Sequence, residues 1–395
     1  MAQIMRLNQE YHEKCSLREQ EVRRRTFWAC ILVDRSLAFL LSKPRAIDMA
    51  SVAIGVPDGD SALAHDEPSR GVTLDDLMIS HWRVSDLGLA PYFLKTVIIW
   101  SDLASFNVRR VRLKDKLPPD NPQSAFFGYA LTLKTWFDNL NTSLGWNSQN
   151  YKRQCWLGQG EAFVTMHLLT HSAFCVAHQC YLPQLDGFTA ISQSVDAAGW
   201  PYASSNEELT RTCISHALFA GEILKCVIEH SSSRKEANST LQRTWVACSV
   251  LSISNTLLWL QYSQGALAVG DAPAQARTAF ENIRELISTW AAEWKAARRW
   301  LSALDALESL YKAAYLGEMN EAMLGVEIVE SSEEEGFRPR PGMGQRSHID
   351  APNLQASLQL AACDFTAESR NVHTIWLQLT GGWPMNLELD DPWKG

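Results

Sequence analysis

No segment of this 395-residue chain is both free of charge and long enough to cross a bilayer, and the first residues carry no continuous apolar stretch of the kind a secretory signal needs. The expectation is therefore a protein that is not secreted and has no membrane partner. Cysteine is present but never clustered. The nine residues Cys15, Cys30, Cys155, Cys175, Cys180, Cys213, Cys226, Cys248 and Cys363 show none of the close, repeated spacings of a zinc site or a disulfide framework. They read as free thiols in a reducing interior compartment, with no metal held by this chain. The phosphate-cradling patterns GxGxxG and GxxxxGK[ST] are missing, which removes the usual nucleotide-enzyme readings. Excess positive charge is missing too. With 36 Lys and Arg against 44 Asp and Glu, the formal charge is -8, so the chain as a whole is no clamp for nucleic acid. No fixed-period repeat marks a named solenoid.

What is present is aromatic and helical. Fifteen Trp and a 46% apolar fraction require a packed core or an extensive interface, and disorder cannot describe the whole chain. The length allows two or three conventional domains or one large helical scaffold. The most informative stretch runs from Glu21 to Pro57. Glu21 and Arg25 stand four apart in the favourable acid-before-base order, and Phe27, Trp28, Ile31, Leu32 and Arg35 form a stripe along neighbouring turns. The spacing predicts a helix with a buried aromatic seam. Pro44 then stops the helical ladder and Pro57 closes a short extended piece, giving helix, tight exit and strand-like tail.

That order of residues resembles the regulatory domain, or middle homology region, found downstream of the Zn2Cys6 binuclear cluster in fungal transcription factors. The features that carry it are Glu21, Arg23, Arg24, Arg25, Phe27 and Trp28, then Val33, Asp34 and Arg35, then Lys43, Pro44, Ile47, Asp48, Val56 and Pro57. Ser42 stands where family members usually have Gly. The segments Met166 to Pro183 and Trp200 to Ala217, and a last helical pair through Leu316, continue the likeness, which covers roughly Glu10 to Leu316.

The resemblance implies a nuclear role in RNA polymerase II transcription, with promoter DNA read only through a missing or separate zinc-cluster module. Zinc is expected only in that upstream cluster, if one exists, and no cofactor in this chain. The implied partners are transcriptional regulators or a second copy, with a small-molecule effector as a further candidate. The competing reading is a DNA-independent corepressor or protein-binding scaffold that has lost its zinc module. The resemblance assigns no catalytic, cofactor-binding or metal-binding residue. Arg24, Arg25, Trp28, Asp34 and Arg35 are candidates for a structural seam, with Asp34 capping or pairing nearby donors.

Along the chain, the pattern predicts an all-α fold, a multi-helical stacked assembly of antiparallel helices. Thr73 and Asp76 form a candidate cap, and Leu74, Leu77 and Met78 start an apolar face that Pro91 breaks before Leu94, Val97, Ile98 and Leu103 renew it. A helix is expected over Phe126 to Leu144, with Trp136, Phe137 and Leu140 on adjacent faces, and another over Glu161 to Tyr181. Ser205, with Glu208, caps a helix through Glu229; others follow over Ser239 to Leu260 and, opened by Pro273, through Trp290, Trp294 and Leu310. Residues 1–316 thus read as the regulatory helical domain and 317–353, with Glu333 to Glu335 and FRPRPG, as a flexible linker. Residues 354–395 read as an aromatic and acidic tail, a packed or disordered terminus or a partner-binding activation segment.

Three groups invite chemistry. His167, His171 and His178 have helical spacing, but the sequence HLLTH lacks the Glu of a zinc protease, so packing and hydrogen bonding are the expected roles. Cys175 and Cys180 fall on different parts of one helix and make a poor redox pair. Cys175, His178 and Asp196 hold capable groups, but their order places no nucleophile beside an oriented base. The basic runs Arg23 to Arg25 and Arg109, Arg110, Arg112, Lys114 and Lys116 read as solvated helix faces or intramolecular ion pairs.

Overall fold

A computed structural model describes residues 5–10, 15–40, 44–59, 65, 67–78, 88–108, 117–183, 207–230, 243–263 and 270–317. Among them the fold is all-α: α1 Leu17–Leu40, α2 Ala90–Val108, α3 Ala125–Asp138, α4 Ser148–Trp156, α5 Gly160–His178, α6 Glu207–His230, α7 Arg243–Tyr262, α8 Ala272–Glu293 and α9 Lys295–Leu316. The expected strand-like tail contributes one isolated parallel bridge, Gln9 with Ala53. The expected linker and tail beyond Gly317, the Ser205 cap, Asp196 and the basic run 109–116 lie outside the described residues.

Helix α5 is the hub, packing against α2, α3, α4, α6 and α7. Every residue in it except Glu161 is buried, as befits a helix surrounded on all sides. Two of its hydroxyl groups are met internally: Thr170 donates to the Met166 carbonyl at 2.9 Å and Ser172 accepts from Trp100 Nε1 at 3.2 Å. Helix α7 does the same, with Ser249, Ser252 and Ser254 each donating four residues back, at 3.0, 3.1 and 2.7 Å. Helices α5 and α6 run antiparallel, because Cys175 meets Cys213 while His171 meets His216. Helices α8 and α9 do likewise. Trp294 between them is extended, and Arg284 Nε reaches Asp305 at 2.8 Å from nearly symmetric positions.

Caps explain the element starts. Ser16 and Glu19 form a reciprocal box ahead of α1, with Ser16 N–H donating to Glu19 at 2.7 Å and Glu19 N–H to Ser16 Oγ at 3.2 Å. Thr73 and Asp76 form the expected box, Thr73 N–H reaching Asp76 Oδ2 at 2.7 Å, and a 3-10 turn, Asp76–Met78, follows it within the described residues. Pro91 marks the start of α2. It sits in the first turn of α2, where its missing N–H costs nothing, and Gly88 with φ 73° turns the chain into it. The helix expected to reach Leu144 ends at Asp138, because Asn141 Oδ1 takes the Ser143 N–H at 2.9 Å and diverts the backbone into a turn. Asn147 then caps α4 through the Asn150 N–H at 2.7 Å.

Candidate functional site

The motif at the start of the chain is a polar staple. Arg24, almost fully buried, pairs with Glu21, with both oxygens of Glu10 at 3.1 Å, and with Asp58 at 3.7 Å. Arg25 donates to Glu21 Oε1 at 2.7 Å and to the Asp58 carbonyl at 2.9 Å. Glu10 Oε1 also accepts the Gly55 N–H at 3.0 Å, and Trp28 Nε1 donates to the Gly55 carbonyl at 2.7 Å. Burial pushes the Glu21 carboxyl up, against the pull of Arg25 and Arg24. One turn on, Asp34 pairs with Arg35 and accepts the N–H groups of Ala46 at 2.7 Å and Ile47 at 3.3 Å. Arg35 donates to the Ile47 carbonyl at 3.0 Å. Sequence-distant loops, 44–48 and 55–58, are thereby fixed to one face of α1.

Arg24, Arg25, Trp28, Asp34 and Arg35 therefore come together as a seam between α1 and its exit loop. Arg24 and Arg25 are turned inward to carboxylates, and Arg23 donates to the Met5 carbonyl at 3.2 Å, so this run presents no phosphate-binding face.

Between the stapled loop and α2 lies a cleft of about 880 Å³. Its walls come from Trp28 and Arg35 of α1, Met49 and Ile54 of the loop, and Lys95, Ile98 and Asp102 of α2, among others. Arg45 pairs with Asp102 across it. Lys95 is buried, and its ion pair, with Asp75 at 3.8 Å, is to a carboxylate standing wholly in solvent. Burial pulls the Lys95 ammonium down, with Asp75 and Asp102 only partly opposing. Burial, with Arg45 close by, also lowers Arg35, whose buried Nε–H meets no acceptor. The cleft combines charged side chains with an apolar wall. Glu10, Gly55 and Lys95 escaped the sequence reading. The one signal for Lys95 was a lone cation inside the apolar run PYFLKTVIIW.

The histidines occupy the core around α5 as hydrogen-bonding groups. His167 Nε2 meets the Leu144 carbonyl at 2.8 Å, His178 Nδ1 donates to the Phe174 carbonyl at 2.8 Å, and His171 Nδ1 lies 2.7 Å from His216 Nδ1. The last contact requires one ring to donate through Nδ1–H and the other to accept through an unprotonated Nδ1. Burial pulls His167 and His178 down to about 4 and His216 to about 3. Cys175 faces Cys213, each thiol directed at the other's carbonyl at 3.8 Å, and burial pushes Cys175 well up, which makes it a packing group. Among the described residues, no hydrogen bond joins Cys175 to His178. Among the described residues, no three His, Cys, Asp or Glu side chains stand together to hold a metal ion, and no helix is long and apolar enough to cross a membrane.

Comparison with known proteins finds distant similarity to fungal transcriptional regulatory proteins. The chain is 26% identical over 173 residues to an uncharacterized transcriptional regulatory protein of Schizosaccharomyces pombe, covering 39% of this chain and 25% of that protein. A second such protein of the same yeast is 24% identical over 166 residues, with 40% and 17% covered. A Zn(2)-C6 fungal-type transcription factor of Fusarium oxysporum f. sp. lycopersici is 22% identical over 170 residues, with 40% and 18% covered. The matched part thus spans a quarter or less of the curated relatives' length. No family model matches the chain. No solved structure matches it.

Proposed function

We propose that this chain is the regulatory body of a fungal transcription factor that controls RNA polymerase II transcription in the nucleus. Promoter DNA is read by a zinc-cluster module that is separate from the residues described. The observation that carries this reading is the similarity to three fungal transcriptional regulatory proteins, one of them of the Zn(2)-C6 type. The inward turn of Arg24 and Arg25, which leaves DNA reading to another module, supports it. Residues 1–316 form the body, 317–353 a linker and 354–395 a tail that meets other transcriptional regulators. Loop 44–58 is seated on α1 by hydrogen bonds with Arg25, Trp28, Asp34 and Arg35 and by the buried side chains of Ile54 and Val56, so an effector or partner that binds the cleft acts on that seating.

The test is to tether the full chain to a reporter of intermediate basal expression through a heterologous DNA-binding domain. A several-fold rise or fall in transcription is expected. No change, from protein shown to accumulate in the nucleus, overturns the reading.

A further inference from the structure

We propose that the cleft between α1, its exit loop and α2 is a binding site for a small organic anion, a carboxylate or phosphate carried on an apolar body. It deepens the regulatory reading by naming the effector's chemistry, and it rests on that reading for its biological use only.

Lys95, 8% exposed in a helix otherwise packed with aromatic and aliphatic side chains, needs a close and shielded counter-ion. Asp75, at 3.8 Å, is neither: its side chain is fully exposed, and water screens what it offers. The other acids of the cleft are committed. Asp102 is paired with Arg45, Asp48 Oδ1 takes the Ala50 N–H at 3.0 Å, and Glu10 serves Arg24 and Gly55. Asp34, beneath the cleft, already accepts from Ala46, Ile47 and Arg35.

Arg35 repeats the imbalance. It lines the same cleft, is 1% exposed, and keeps a buried Nε–H without an acceptor. A buried donor left unmade costs more than an average hydrogen bond returns, so an anion entering beside Lys95 gains from the ammonium and from the adjoining guanidinium charge. Trp28, Met49 and Ile98 supply an apolar wall beside the charges. A volume of about 880 Å³ admits a molecule of metabolite size. A protein or nucleic acid strand does not suit a recess whose under-paired groups are one buried ammonium and one buried guanidinium N–H.

The test uses the full chain and calorimetric titration with octanoate, octyl phosphate and 1-octanol, which share one apolar body and differ in the head group, and with inorganic phosphate alone. At least one anionic octyl compound should bind tenfold or more tightly than octanol, and the stronger of the two identifies the head group. Lys95→Met should cut that affinity at least tenfold while circular dichroism shows an intact fold. Met49→Trp, which fills the cleft without touching a charge, should weaken binding of both octyl anions. Equal affinity for octanol and the anions, or unchanged affinity in Lys95→Met, overturns the proposal. The two readings fail separately. Binding lost in Lys95→Met with no effect of tethering on the reporter leaves the site and removes the regulatory role; a reporter response without anion binding does the reverse.

Discussion

Replacing Asp34 by Ala probes the staple at its narrowest point. The carboxylate accepts two backbone N–H groups, those of Ala46 and Ile47, and balances a guanidinium that is 1% exposed. The amides lie at an exposed and a half-buried residue, so water replaces much of what they lose. Arg35 has no such recourse. It keeps only the Ile47 carbonyl, with Arg45 nearby adding like-charge repulsion. Breaking a buried pair by removing one partner costs about 3–5 kcal/mol, a large part of the 5–15 kcal/mol typical of a whole domain. Urea denaturation followed by circular dichroism should show that loss. The double change Asp34→Ala with Arg35→Met should be less destabilised than the two single losses summed, with a coupling of about 1–3 kcal/mol, because no buried charge is stranded. A loss under about 1 kcal/mol for Asp34→Ala, or strict additivity, would refute the staple.

Other consequences are as direct. Trp28→Ala should cost about 3–5 kcal/mol, since it empties a fully buried site and strands the Gly55 carbonyl; a denaturation midpoint near that of the parent would contradict it. Lys95→Met should raise stability by about 1 kcal/mol in a thermal melt, because an under-paired ammonium leaves the interior; a loss of that size would show that Lys95 is well paired. Gly221→Val should loosen α6 from α8 by about 1–3 kcal/mol, because a Cβ at Gly221 would stand 2.6 Å from Ala279 Cβ; an unchanged melting temperature would argue against that close approach.

The pH dependence follows from His167, His171, His178 and His216, all held below the ordinary value of 6.5 by burial. Above 6.5 both folded and unfolded chains keep them neutral and stability is flat. As pH falls from 6.5 toward 4, the unfolded chain takes up protons that the folded one refuses. Each histidine then removes up to about 1.4 kcal/mol per pH unit. Urea titrations at stepped pH should fall steeply in that window, and a level profile would mean the imidazoles protonate in place.

How much of this was legible in the sequence depended on the range over which each feature is decided. Helices α6, α8 and α9 follow from periodic apolar faces, α5 from a nearly continuous run of apolar and small residues, and the Thr73 cap is a short-range pattern with a short-range partner. Asp34 was readable as a group seeking donors, but its partners sit 12 and 13 residues away across a proline exit, and only folding names them. Helix α4 is nearly all polar and offers no apolar stripe; its start is set by Asn147. Pro91 illustrates an ambiguity of local reading, since the same ring that breaks a helix interior is at home in a first turn. The cleft was illegible in principle. It is a void bounded by α1, a loop and α2, and no spacing along the chain encodes an absence of atoms. The same holds for the partnership of His171 with His216, 45 residues apart on two helices.

The most direct test of the central claim is to map where the natural full-length protein resides on chromatin in its own cell, by crosslinking and immunoprecipitation, alongside RNA polymerase II occupancy with and without it. A transcription-regulatory body predicts discrete promoter peaks at which polymerase occupancy changes when the protein is removed. A protein absent from the nucleus, or one whose removal leaves polymerase unchanged at every site, would contradict the account.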